Sequence, residues 1–134
     1  SLASTRPSAE IWVAKGTYFP DDGANVSDND RQASFIMLKN VAIYGGFLDG
    51  HTSMAQRDWV NNKTILSGDI GNAIAGSYHV IKNDYDMADP LDGSAVLSGF
   101  IIEGSYSDYS VDLKDDRNFG GGMFNRYSSP SISY

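Results

Sequence analysis

The sequence predicts an all-β solenoid, in which short parallel strands stack turn upon turn around a shared core. Three observations predict it. The first is a recurring strand motif, β-branched and aromatic and closed by glycine. It stands at Val41-Ala42-Ile43-Tyr44-Gly45-Gly46-Phe47, returns at Thr64–Asp69, His79–Asn83 and Leu97–Gly104, and appears last at Gly120–Asn125. Aligned on Ile43, Ile65, Val80, Ile101 and Met123, the copies are separated by 22, 15, 21 and 22 residues. A strand motif returning at such a period suggests repeated units that bury a common core only by stacking. The second observation is composition: 14 glycines, 8 tyrosines and many Ser, Asn and Asp favour strands joined by turns over helices. The third is the corner Lys39-Asn40 between two apolar runs, which lacks hairpin residues such as Asn-Gly and so fits a bend between flat faces.

Taken in order, Ser1–Ser8 reads as a polar lead-in and Glu10–Ala14 as a strand stopped by Gly16. Thr17–Pro20 follows as an extended edge, because Pro20 has no N–H to give a ladder. Asp21–Asp30 is loop by every turn signal, and Ser34–Leu38 is the next strand. Leu48–Asn62 is polar, with room for one helical turn within Thr52–Trp59. The strands Thr64–Asp69, Tyr78–Asn83 and Ala95–Glu103 form the centre, separated by the loops Ile70–Ser77 and Asp84–Gly93. Ser105–Phe119 is a second polar excursion, and Ser128–Tyr134 closes the chain as a strand. The predicted core comprises Ile11, Val13, Phe35, Met37, Val41, Ile43, Ile65, Val80, Phe100, Ile102 and Met123, with Trp12 beside them.

At 134 residues, with 41% apolar and 20% charged residues, the chain suits one folded domain. Its net charge of -7 excludes the basic face that phosphate neutralisation requires, so no nucleic-acid partner is expected. The same charge disfavours anionic membranes, and no apolar run approaches the roughly 20 residues of a membrane span. With no cysteine there is neither a disulfide framework nor a thiolate site. No signal peptide is visible at Ser1.

Ile11-Trp12-Val13-Ala14-Lys15-Gly16-Thr17-Tyr18 resembles the opening strand of pectate-lyase-like right-handed parallel β-helix proteins. Ile43–Phe47, Thr64–Ile70, Ser98–Gly104 and Gly120–Asn125 with Ser128–Ile132 look like the successive coils of one bacterial group, secreted repeat proteins similar to polymorphic outer-membrane and adhesin passengers. The likeness runs from about Glu10 to Tyr134. It implies a right-handed parallel β-helix with long side loops, residues 1–134 forming the N-terminal coils of a longer solenoid, in a bacterial protein that is secreted or at the cell surface. An uncapped last coil would offer unpaired backbone to a second copy, so self-association through Pro130–Tyr134 is expected.

The fold implied hosts lyases, hydrolases, adhesins and plain stalks, so chemistry must be sought residue by residue. Asp21, Asp22, Asp28 and Asp30 are candidate ligands for Ca2+, a hard cation that takes six to eight oxygens, although their spacing is not that of an EF-hand. The alternative is a solvated turn. Lys114, Asp115, Asp116 and Arg117 are the catalytic candidates. A polysaccharide lyase needs a base beside the uronate carboxyl and a cation to stabilise the enolate, and this cluster contains both types; an exposed loop of mixed charge is the plainer reading. Glycoside hydrolysis needs two facing carboxylates, and no pair among the many aspartates is singled out. His51 and His79 are far apart and lack metal spacing. Tyr106, Tyr109 and Tyr127 are candidate sugar-stacking residues, because ring faces pack on the apolar faces of pyranoses.

The expectation is therefore a non-catalytic module that displays loops for adhesion, binding a polysaccharide or host glycan. A polysaccharide lyase or hydrolase fragment is the first alternative, and a structural stalk the second.

Overall fold

The computed structural model describes residues 8–71, 75–108 and 115–134. Nine strands are present among them: β1 (Ala9–Ala14), β2 (Gly16–Tyr18), β3 (Val41–Phe47), β4 (Thr64–Ser67), β5 (Ile81–Asp84), β6 (Val96–Ser98), β7 (Phe100–Glu103), β8 (Met123–Arg126) and β9 (Ser131–Ser133). Helical structure among the described residues is confined to the short 3-10 turns Met54–Gln56 and Asp116–Asn118.

The strands form three short parallel sheets of four, three and two strands, ordered β1-β3-β6-β9, β2-β4-β7 and β5-β8. This corrects the predicted solenoid of uniform coils, and with it the right-handed parallel β-helix. The recurring motif does not mark one unit per turn, because its copies fall in different sheets. Ile43 lies in β3 of the first sheet, Ile65 and Ile101 lie in β4 and β7 of the second, and Met123 lies in β8 of the third. The ladder that contains Ile43 instead runs Ile11, Ile43, Leu97, Ile132, unevenly spaced along the chain. Long connections also leave more than one junction: 48–63 joins the first sheet to the second, and 85–95 joins the third to the first. They are not gathered on one side.

The core is built around Met37, Leu66, Val80, Ile81, Leu91, Ala95 and Leu97, with Phe35, Ile43, Phe100, Ile102 and Met123 packed against it. Two predicted core residues are displaced by the pleat. Because side chains alternate across a strand, a one-residue shift moves a residue to the opposite face. Leu66 rather than Ile65 is therefore the aliphatic residue that β4 buries in the core. Ile11 faces the core but lies on an outer strand, and 48% of its surface is exposed. Trp12, its neighbour on the opposite face, is 36% exposed rather than buried.

Ser34–Leu38, expected as a strand, contributes a single parallel bridge from Phe35 to Ile81. Polar side chains hold it in place. Asn83, fully buried, accepts from the Met37 amide at 2.9 Å and donates to Asn125 Oδ1 at 2.9 Å. Buried polar groups are tolerated when satisfied in this way.

Candidate functional site

The sheet β5-β8 positions the most chemically varied surface of the described chain. In β5 Ile81 and Asn83 are buried, so the alternate residues Lys82 and Asp84 occupy the other face. Parallel register sets Phe124 beside Lys82 and Arg126 beside Asp84. The Phe124 ring lies between two cations, 5.8 Å from Lys82 Nζ and 5.8 Å from Arg126 Cζ. Arg126 binds Asp84 through both Nε and Nη2, at 2.6 and 2.5 Å.

The turn Asp116–Asn118 closes over this strand pair. Asp115 caps it, accepting from the Arg117 amide at 3.0 Å. The same carboxylate receives Nε and Nη2 of Arg117, at 2.8 and 2.5 Å. Lys82 Nζ donates to Asp116 Oδ2 at 2.7 Å. Between these pairs lies a recess of about 360 Å3, lined by Tyr78, His79 and Lys82, by Asp115, Asp116 and Arg117, and by Gln32 and Arg126.

Arg31 ties the neighbouring loops to the recess. Its guanidinium donates to the carbonyls of Gly76 at 2.8 Å and Tyr106 at 2.9 Å, and pairs with Asp108 at 2.6 Å. It also lies 4.2 Å from the Tyr78 ring and 5.9 Å from the Tyr106 ring. Tyr106 is thus fixed by its backbone while its side chain stays 52% exposed.

The pairing sets the electrostatics. Hydrogen bonds from Arg117 bring the Asp115 carboxyl down to about 2, and those from Arg126 hold Asp84 below the usual carboxylate range. Asp84 in turn raises Arg126. Burial lowers His79 below its ordinary 6.5. Its Nδ1 is 3.2 Å from the Gly120 carbonyl, which can only accept, so Nδ1 carries the proton. His79 Nε2 is buried and has no partner among the described residues.

The structure thus brings Asp115, Asp116 and Arg117 to one recess, with Tyr106 adjoining it through Arg31. Tyr127 follows Arg126 and is 48% exposed. Lys114 and Tyr109 lie outside the described residues. Sequence reasoning passed over Lys82, Tyr78, Arg31 and Arg126. The signal available was alternation in Ile81–Asp84, where charged residues alternate with Ile and Asn.

The four aspartates proposed for calcium do not gather. Asp21 is buried, its Oδ2 accepting from the Asn29 amide at 2.9 Å, and Asp30 accepts from the Gln32 amide at 2.9 Å. Asp22 and Asp28 are exposed. Among the described residues no three acidic or histidine side chains converge closely enough to hold a metal ion. Asp30 caps a tight turn, and Asp21 ties the loop together across to Asn29.

No family model, curated protein or solved structure matches the chain. The likeness to bacterial repeat proteins accordingly rests on the motifs alone.

Proposed function

We propose that the chain is a non-catalytic carbohydrate-binding module of a secreted or cell-surface bacterial protein, with the recess beside Lys82 as its ligand site. The observation that carries this reading is that two complete ion pairs, Lys82–Asp116 and Arg117–Asp115, line the recess together with Arg126, which Asp84 engages from outside the lining. Each pair presents a fixed donor beside a fixed acceptor, and a sugar hydroxyl is both at once. Charge-assisted hydrogen bonds are the stronger kind, and groups already held in place lose little freedom on binding. The volume suits one or two sugar rings, and Tyr106, exposed and joined through Arg31 to the lining residue Tyr78, offers a further ring.

The same geometry disfavours the lyase alternative. A general base must be unprotonated, basic and within reach of the proton it removes. Asp115, at about 2, is a very weak base and is already engaged by Arg117. His79 Nε2 is shielded from contact. Because each cation already carries its own carboxylate, the recess favours a neutral glycan over a polyuronate.

Binding of the purified chain to an array of polysaccharides and host glycans, with calorimetry on the hits, tests this. We expect a specific neutral glycan, unaffected by calcium chelation. Tyr106→Ala should weaken it about tenfold, the loss of roughly 1.4 kcal/mol expected of one stacking ring. Tight binding that disappears on chelation would contradict the site.

A further inference from the structure

We propose that the apolar core opens into a binding site for one small, neutral, hydrophobic molecule, an alkyl chain or a pair of fused rings. The site shares no lining residue with the recess and does not depend on how the recess is read. A cavity of about 270 Å3 runs into the core among all three sheets. The first sheet lines it from three successive strands, through Val13, Ile43 and Leu97, and the second does so from Tyr18 to Phe100. Its floor is Leu66, Ile81 and Leu97, each at most 7% exposed. Ile36, also in the lining, is 60% exposed and marks the mouth.

The polar groups around this cavity are already committed. Among the described residues its lining holds no charged side chain, and its one hydroxyl, on Tyr18, donates to the Ala14 carbonyl at 3.0 Å. The backbone of the segment 35–37, which closes the third side, is engaged as well. Phe35 gives its amide to the Val80 carbonyl at 2.8 Å and accepts from the Lys82 amide at 2.9 Å. The Met37 amide goes to Asn83 at 2.9 Å.

These features select the ligand. A molecule with hydrogen-bonding groups would have to bury them unpaired, which is costly. That disfavours an extended peptide, because every residue would carry in an N–H and a C=O. Size narrows the choice further. An apolar cavity of about 150 Å3 stays dry and takes benzene, so one nearly twice as large accepts two rings or a chain of comparable bulk. The net charge of -7 disfavours an anionic headgroup at the mouth.

The test is a titration with N-phenyl-1-naphthylamine, a neutral dye that brightens when it leaves water. Its emission should saturate at one dye per chain and be reversed by 1-octanol. Octanoate, equally long but charged, should compete at least about tenfold more weakly, since its carboxylate would be held against apolar surface. Ile36→Asp, at an exposed position, should weaken the dye at least about fivefold by setting a charge at the mouth, and Val13→Phe should do so by filling the space. The absence of saturable brightening would overturn the proposal. So would octanoate competing as well as octanol, or a signal that both variants leave unchanged, which would put the dye on another surface. Brightening that is lost as the chain associates in sedimentation would give the mouth to a side chain of a second copy, and would equally overturn it.

Discussion

His79 is a residue whose protonation the fold opposes. Burial lowers its pKa, so between that lowered value and 6.5 the unfolded chain binds a proton that the folded chain refuses. Stability is therefore unaffected by this group above 6.5 and falls as the pH drops below it. The paired carboxylates behave otherwise: Asp115 contributes stability above its ordinary 3.8 that is lost only as pH falls toward about 2. Acidification from pH 7 to 5 should thus lower Tm through His79 and not through the ion pairs. Replacing it by glutamine, His79→Gln, should flatten the dependence in that window. A wild-type Tm unchanged between pH 7 and 5 would contradict the burial argument.

At the scale of the element, the glycine pair within β3 decides whether the connection 48–63 can dock. Gly46 has φ +97°, and a Cβ there would come within 2.7 Å of the Trp59 amide nitrogen and 2.8 Å of its Cα. Both objections involve backbone, which cannot swing aside. Gly46→Ala should cost at least about 2 kcal/mol in urea unfolding and alter Trp59 emission. An unchanged midpoint would mean that the loop does not pack on β3 as described. The glycine pair was expected as a bend that ends the strand, whereas β3 runs through it to Phe47 and shifts register against β1 there. What it serves, the seating of Trp59 and Arg57, was not legible, since that contact joins segments with no shared pattern. The same limit holds for the site. Asp115–Arg117 stood out as a charged cluster, whereas Lys82 and Arg126 meet only through the parallel pairing of β5 with β8.

For the whole molecule, strand positions were largely legible and strand partnership was not. Val41–Phe47 and Thr64–Ser67 are strands where composition predicted them, because β-branched and aromatic runs bounded by turns carry a local signal. Which strands pair is settled by long-range packing, and the regular spacing of motif copies suggested uniform turns where the chain distributes them over three sheets. The first sheet has outer strands β1 and β9, whose aliphatic residues Ile11 and Ile132 are 48% and 52% exposed. Among the described residues no further strand pairs with either, and edges left in that way recruit further strands. We expect concentration-dependent association of this chain in sedimentation, and its reduction by Ile132→Lys; a monomer at every concentration would contradict that expectation. The recess is expected to bind without turnover. This is tested most directly by incubating the chain with the glycans it binds and with polyuronates, while following both the heat of binding and the ultraviolet absorbance of unsaturated products. We expect saturable heat with a neutral glycan and no product from any substrate. Accumulating unsaturated product, abolished by Arg117→Ala, would show the recess to be a lyase site.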